Sequence, residues 1–241
     1  MKFYCYNLTT KIVGRTFLDQ NNGRPLVVNC LNPHSFITAQ NDIIFQEALI
    51  NSDILLPDGI GICGAASHWK HIKIRKIAGD DFHLLLLNEL DKTHGKIFYM
   101  GSSPAVLKKI AERLKRDHPN IIVATHSPSY SKVFGKEEND AILSQIEAFA
   151  PDALMVGLTA PKQEKWVYNN LDRLKGPRVI ASIGGAFEFY AGTIRRASSW
   201  AISHYLEWLV RLLKDPVHMW RRNFISTPKF LIYNVRHNKE M

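Results

Sequence analysis

Cysteine is scarce in this 241-residue chain: Cys5, Cys30 and Cys63 are all there is. An odd number of widely separated cysteines gives neither a disulfide framework nor a zinc spacing, so a reducing cytosol is the simplest setting. Long apolar runs are also missing. The longest aliphatic stretch, "LLLL" at 84–87, falls far short of the roughly 20 residues that span a bilayer. The opening "MKFYCYNLTTKIVG" has no apolar stretch of signal-peptide length. None of the ten histidines forms HxxxH or HExxH, so no metal site is expected. No GxGxxG follows the first strand-like segment and no Walker A sequence occurs. The first absence counts against a dinucleotide-binding oxidoreductase, and the second against a P-loop enzyme.

Acidic residues are in deficit, 22 against 31 Lys and Arg, and the imbalance is local. Residues 195–241 hold nine basic and three acidic side chains, a net +6, while the preceding 194 residues net only +3. Three of the five tryptophans, Trp200, Trp208 and Trp220, fall in the same stretch. A short basic, aromatic tail is an interaction surface for something anionic: phosphate on a lipid, a nucleotide or a nucleic acid. The rest of the composition, 46% hydrophobic and 22% charged, is that of an ordinary globular chain. Its length suits one domain, or one domain with an appendage. The composition shift near 194 gives the one boundary, a domain over 1–194 and an appendage over 195–241.

Strand and helix signals alternate. "PLVVNC" (25–30) reads as a buried strand, and "ILLP" (54–57), "KIFYMGSS" (96–103), "NIIVATHSP" (120–128), "DALMVGLTAP" (152–161) and "PRVIASIGG" (177–185) read as further strands. Helical spacing fills the intervals: 32–53 as one helix, 80–95 closed by Gly95, then 103–119, 136–151 and 161–176. Past the boundary, 198–216 reads as one more helix, ended by Pro216. This alternation predicts an α/β fold with a mainly parallel sheet flanked by helices. Ligands in such sheets bind outside the carboxyl ends of the strands. Four chemically suggestive segments fall there: "CLNP" (30–33), "PDGIG" (57–61), "TAPKQE" (159–164) and "IGGAFEFYAG" (183–192).

Each segment also has a plain structural reading. Asp58-Gly59 is a turn dipeptide whose acid could cap the next helix, or Asp58 could be a base at the mouth of a pocket. Asp80-Asp81 reads as a helix cap. Gly184-Gly185 either relieves packing or turns bare amides toward a diphosphate. Gln163 is either an ordinary residue in a proline-started first turn or an amide donor and acceptor for sugar hydroxyls. Trp200, Tyr205, Trp208, Leu209, Leu212 and Leu213 fall near helical spacing. They are either core or, with Arg211, Lys214, Arg221 and Arg222 beside them, a membrane-facing stretch.

Taken in order, "VVNCLNP", "LLPDGIGI", "KIAGDDF", "IFYMGSSPAVL", "APKQEKW", "IGGAFEFYAGTIRRA" and "YLEWLVRLLKDP" make the chain resemble, over its whole length, the WecG/TagA/CpsF bacterial glycosyltransferases. The resemblance implies a Rossmann-like α/β domain with a C-terminal helical basic appendage. It implies an inverting transfer, without metal or other cofactor, of a sugar from a UDP-sugar to a polyprenyl-diphosphate-linked sugar. N-acetylmannosamine, its uronic acid and glucose all occur as the sugar, and products feed teichoic acid, common antigen, capsular and exopolysaccharides. The enzyme would sit peripherally on the inner face of the bacterial plasma membrane, its tail on anionic lipid. Self-association stays open, and no nucleic-acid partner is implied.

By position, the family's base falls on Asp58, its pocket asparagine on Asn32, its glutamine on Gln163 and its glycine pair on Gly184 and Gly185. The nucleobase-contacting aspartate corresponds to Glu188, and the pocket arginine to Lys76 or its neighbour Arg75. Arg211, Arg221 and Arg222 would meet the charge developing on the departing diphosphate. Cys30 stands where the family has threonine, Thr159 where it has glycine and Ser198 where it has proline. Two other readings remain for a chain of this charge: a nucleic-acid-binding module, disfavoured by charge confined to one tail and by the lack of RNP, zinc or helix-turn-helix signatures, and a nucleotide-dependent oxidoreductase.

Overall fold

Six short β-branched and aliphatic runs pair side by side, all in parallel, in the computed structural model. It describes residues 24–237 except 71–73, 75, 195–197, 199, 202, 203, 205 and 215. Arg75 and Tyr205 therefore lie outside the described residues. The strands are β1 (Leu26–Leu31), β2 (Ile54–Pro57), β3 (Lys96–Gly101), β4 (Ile122–His126), β5 (Ala153–Gly157) and β6 (Val179–Ser182). Their spatial order is β2-β1-β6-β5-β3-β4. The connection leaving β3 runs outward to β4, and the one leaving β5 runs the opposite way to β6. The order thus reverses between two adjacent strands, where crevices form in open α/β sheets.

Helices cover both faces, as an all-parallel sheet requires. They are α1 (Pro33–Ala39), α2 (Ile43–Ile50), α3 (Ile60–Lys70), α4 (Gly79–Lys92), α5 (Pro104–Asp117), α6 (Lys136–Phe149), α7 (Lys162–Asn170) and α8 (Ala186–Tyr190). Against one face pack Phe82, Leu86 and Leu90 of α4, Leu107, Ile110 and Leu114 of α5, and Phe187 of α8. Ile142 and Ile146 of α6 and Trp166 and Val167 of α7 fill the other.

The tail follows as α9 (Glu207–Lys214), α10 (Pro216–Arg221), a π-helical turn over Arg222–Ser226 and α11 (Thr227–His237). Among the described residues it forms no separate core cluster. Phe230 of α11 is fully buried in a cluster with Leu31, Phe36, Leu55 and Ile62, so the appendage shares apolar packing with β1, β2 and α1–α3.

Several sequence expectations change. The helix expected over 32–53 is two, because Asp42 caps a second start by accepting from the Phe45 amide at 3.0 Å. Neither member of Asp80-Asp81 is the N-cap of α4: that position is Ala78, and Asp81, in the first turn, reaches back to accept the Ala78 amide at 3.2 Å. Near Gly95 the left-handed residue is His94, with φ 53°. The helix expected over 198–216 is interrupted by a turn at His204. Helix α3 is an addition to the elements expected from the sequence.

Candidate active site

The four segments emerge from four neighbouring strands. Asn32 follows β1, Asp58 follows β2, Gln163 lies just past β5, and Gly184-Gly185 follow β6. At roughly 4.8 Å per strand they line one edge of the sheet. The β1–β2 register ends with Leu31 opposite Pro57, so Asn32 and Asp58 leave the sheet side by side. The Asp58 amide still donates to the Leu31 carbonyl at 2.8 Å. Its side chain is half-buried, and no described residue gives its carboxylate a hydrogen bond or ion pair. Gly59, at φ +105°, makes the turn in a region few other residues enter. The glycine turns the chain, and no hydrogen bond among the described residues has Asp58 capping α3.

The electrostatic surroundings identify what faces Asp58. Burial pushes the Cys30 thiol well up, and the neighbouring carboxyl groups of Asp58, Glu164 and Asp80 act in the same direction. Cys63 is raised by burial and by Asp58, with Lys76 acting in the opposite sense. The half-buried Arg222 guanidinium is lowered by desolvation, raised by Asp58 and lowered by Arg211. Asp58, Lys76, Arg211 and Arg222 thus share one electrostatic neighbourhood, which tail and sheet build together. The Arg211 guanidinium lies 3.6 Å from where a Cβ on Gly185 would stand and 5.0 Å from the centre of the Phe189 ring. Arg221 is exposed, over the Trp220 ring at 5.3 Å. It stands outside this group.

Other expected site residues have internal work as well. The Asn32 side chain caps α1, accepting from the Ser35 amide at 3.0 Å. Glu188 accepts from the Ser102 hydroxyl at 3.0 Å, which places it where β3 and β5 end. Gln163 is only 5% exposed. Its Oε1 accepts from the Gly184 amide at 3.1 Å, and its Nε2 donates to Glu164 Oε1 at 2.8 Å. The expectation that both glycine amides face a diphosphate therefore narrows to Gly185, since the Gly184 amide is taken by Gln163. A Cβ on Gly184 would stand 2.5 Å from the Leu158 carbonyl and 2.9 Å from Gln163 Oε1, so glycine is required there by close approach.

The structure adds two residues to those expected from the sequence, Glu164 and His34. Glu164 is 2% exposed, and burial raises its carboxyl to about 7. The signal was present: Gln163, Glu164 and Val167 recur at helical spacing and share the buried face of α7. His34, beside Asn32, meets the Ser226 hydroxyl at 2.8 Å through Nδ1. It is lowered by burial and then by Arg222.

With this geometry in place, comparison with known proteins decides the class. The family model "Glycosyl transferase WecG/TagA/CpsF family" matches residues 6–240. The chain belongs to the WecG/TagA/CpsF family of glycosyl transferases. It is 32% identical over 225 residues to a Bacillus spizizenii N-acetylglucosaminyldiphosphoundecaprenol N-acetyl-beta-D-mannosaminyltransferase, covering 93% of this chain and 83% of the relative. A protein of the same name from Bacillus subtilis is 30% identical over 237 residues, 97% and 88% of the two chains. One from Staphylococcus aureus is 26% identical over 208 residues, 86% and 78%. As a WecG/TagA/CpsF member the protein is a sugar-transferring enzyme, and the six-stranded parallel sheet is its Rossmann-like body. No described helix is long and apolar enough to cross a membrane.

Proposed function

We propose that this glycosyltransferase moves an N-acetylhexosamine, N-acetylmannosamine first among the candidates, from its UDP conjugate to a polyprenyl-diphosphate-linked N-acetylglucosamine. The sugar and acceptor are those in the names of the Bacillus and Staphylococcus relatives. The observation that carries the mechanism is the half-buried carboxylate of Asp58, without a partner among the described residues and in the field of Arg222. Asp58 takes the proton of the acceptor hydroxyl as its oxygen attacks the anomeric carbon from the face opposite UDP. The carbon–oxygen bond to the diphosphate breaks, its electron pair leaves with UDP, and the proton stays on Asp58. Configuration inverts.

The negative charge growing on the diphosphate needs fixed positive groups in a partly dry site. Arg211 beside Gly185, Arg222 beside Asp58, and Lys76 supply it in this reading, without a metal. Arg221, exposed over Trp220, serves lipid phosphate instead. Glu188, at the reversal of strand order, receives the uracil.

Membrane attachment belongs to the same proposal. Trp208, Leu213, Val217, Trp220, Phe224, Leu231 and Val235 are all exposed on the tail, interleaved with Lys214, Arg221, Lys229 and Arg236. Exposed apolar side chains among cations suit the surface of an anionic leaflet, and the inner face of the plasma membrane offers one. The test is UDP release from a panel of UDP-sugars, with and without lipid-diphosphate N-acetylglucosamine. Acceptor-dependent release from UDP-N-acetylmannosamine supports the reading, and acceptor-dependent release from a different UDP-sugar alone overturns the choice of donor.

A further inference from the structure

Three buried side-chain oxygens have no hydrogen-bond partner in one layer of this molecule: Asn29 Oδ1, Ser182 Oγ and Glu164 Oε2. Side chains alternate across a strand, so Asn29 shares a face with Val27, and Ser182 with Ile180. Val27 and Ile180 pack with Trp166 and Val167 of α7. The β1–β6 register pairs Val28 with Ala181, which sets Asn29 against Ser182. Glu164 is on the buried face of α7. All three oxygens thus lie between the carboxyl ends of β1 and β6 and the first turn of α7.

The one unused donor among these three groups, the Ser182 hydroxyl, makes no hydrogen bond to either of the other two oxygens. The Asn29 amide nitrogen already donates to the Ser52 hydroxyl at 2.8 Å and to the Ala48 carbonyl, which leaves its oxygen as an acceptor. Ionised, Glu164 would add acceptors only. Its one side-chain partner is the neutral Gln163 amide, and no described cation is paired with it. An uncompensated buried carboxylate is strongly disfavoured, and protonation is the ordinary escape.

We propose that Glu164 is a positioning residue that works as a neutral carboxylic acid, its Oε2 proton donated to the Asn29 amide oxygen while its Oε1 orients Gln163 to hold the Gly184 amide. The chain of contacts runs from the sheet interior to the glycine turn, and Gly185 at its end adjoins Arg211. Glu164 thereby fixes the surface against which the departing diphosphate rests; this consequence rests on the reaction proposed above. Burial supports the assignment by holding the group near about 7. Among titratable groups nearby, the buried Cys30 thiol on β1 feels Glu164 together with Asp58 after β2 and Asp80 on α4, the Asp42–Lys165 ion pair joins α2 and α7, and Arg211 on α9 lies beside Gly185. None neutralises Glu164 by contact.

The experiment compares the full-length parent protein with Glu164→Gln and Glu164→Leu. Glutamine keeps an acceptor for Gln163 and, like the acid, offers a donor to Asn29. An infrared difference spectrum of parent minus Glu164→Gln is expected to show a protonated carboxylic acid band at about pH 6 that fades by about pH 8.5. This readout uses no substrate, so it fails or succeeds apart from the reading of the reaction. In UDP release, Glu164→Gln should hold kcat within about threefold of the parent near pH 6 and lose the parent's fall at higher pH. Glu164→Leu should lose at least about tenfold in kcat at every pH, with a smaller change in KM. A carboxylate band alone at about pH 6, an alkaline fall that persists in Glu164→Gln, or a glutamine variant as impaired as the leucine one would each overturn the proposal.

Discussion

The ring of Phe230 meets the ring of Phe36 edge-on, with centroids 5.1 Å apart and planes at 80°, and both side chains are fully buried. Tyr233, one helical turn on, meets Phe36 in the same manner at 5.1 Å. This contact fixes the tail to α1, the helix that begins at Asn32. The His34–Ser226 bond lies between it and Arg222, so aromatic packing in the core sets where a guanidinium of the tail sits relative to Asp58. Phe230→Ala should cost about 3–5 kcal/mol, the usual range for an aromatic removed from a packed core. It should also reduce kcat in the fraction that stays folded. Denaturant unfolding and turnover of the same sample check this, and full activity at lowered stability would separate the packing from the site.

Arg222→Ala is expected to lower kcat by about 10²–10³, the range seen when one anion-stabilising donor is lost. KM for the UDP-sugar should change much less. Arg222→Lys should recover part of the loss, since lysine keeps the charge but not the planar fork. Arg221→Ala should leave turnover on a short-chain acceptor close to the parent's. Steady-state kinetics on the three variants test this division of labour.

On vesicles, the full chain should bind anionic bilayers and release them as salt rises, because exposed charges are screened. Replacing Trp220 and Phe224 together with serine should weaken that binding by at least about tenfold. Vesicle flotation reads this out, and equal binding by the double variant would remove the tail from membrane docking.

Acid sensitivity has an identifiable source in His83. It is buried, meets the Tyr99 hydroxyl at 2.6 Å through Nε2 and is lowered to about 3 by burial, then by His118 and Arg113. Between about 6.5 and about 3 the unfolded chain binds a proton at this position and the folded chain does not. Stability is lost as pH falls through that window, by at most about 1.4 kcal/mol per pH unit from this group. Glu164 has the opposite sign: raised from 4.5 to about 7, it weakens the fold as pH rises through that interval. Urea midpoints from about pH 4 to 7 should therefore fall less steeply on the acid side in His83→Gln than in the parent.

Much of the body was legible from local pattern. Helix α5 shows why: Ser103 caps it, Pro104 starts it, and Val106, Leu107, Ile110 and Leu114 form the buried stripe their spacing predicted. The inner strands were equally plain, since the covered part of a parallel sheet needs runs such as "LVVNCL", whereas β4 at the sheet edge has no buried residue. Helix α3 was not, because Gly61, Cys63, Gly64 and Ala65 give it little amphipathic contrast. The division within 32–53 depended on Asp42 capping a new start in preference to continuing the old one.

At the site, the sequence brought Asp58, Asn32, Gln163 and the glycine pair to one edge. It did not say that Gln163 would be occupied by Gly184 and Glu164. That arrangement depends on β5 and β6 being neighbours in the sheet, which no local pattern encodes. For Asp58, which the sequence offers as turn-former or base, the structure adds that Gly59 takes the positive-φ position of the turn and that no described residue pairs with the carboxylate beside it.

The most direct test of the account is UDP release from UDP-N-acetylmannosamine in the presence of lipid-diphosphate N-acetylglucosamine, comparing the parent with Asp58→Asn, which keeps the size of the side chain and removes the base. The account predicts that kcat falls by at least about a hundredfold, with the fold intact and UDP-sugar affinity nearly unchanged. Turnover by a folded Asp58→Asn protein within a few-fold of the parent would contradict it.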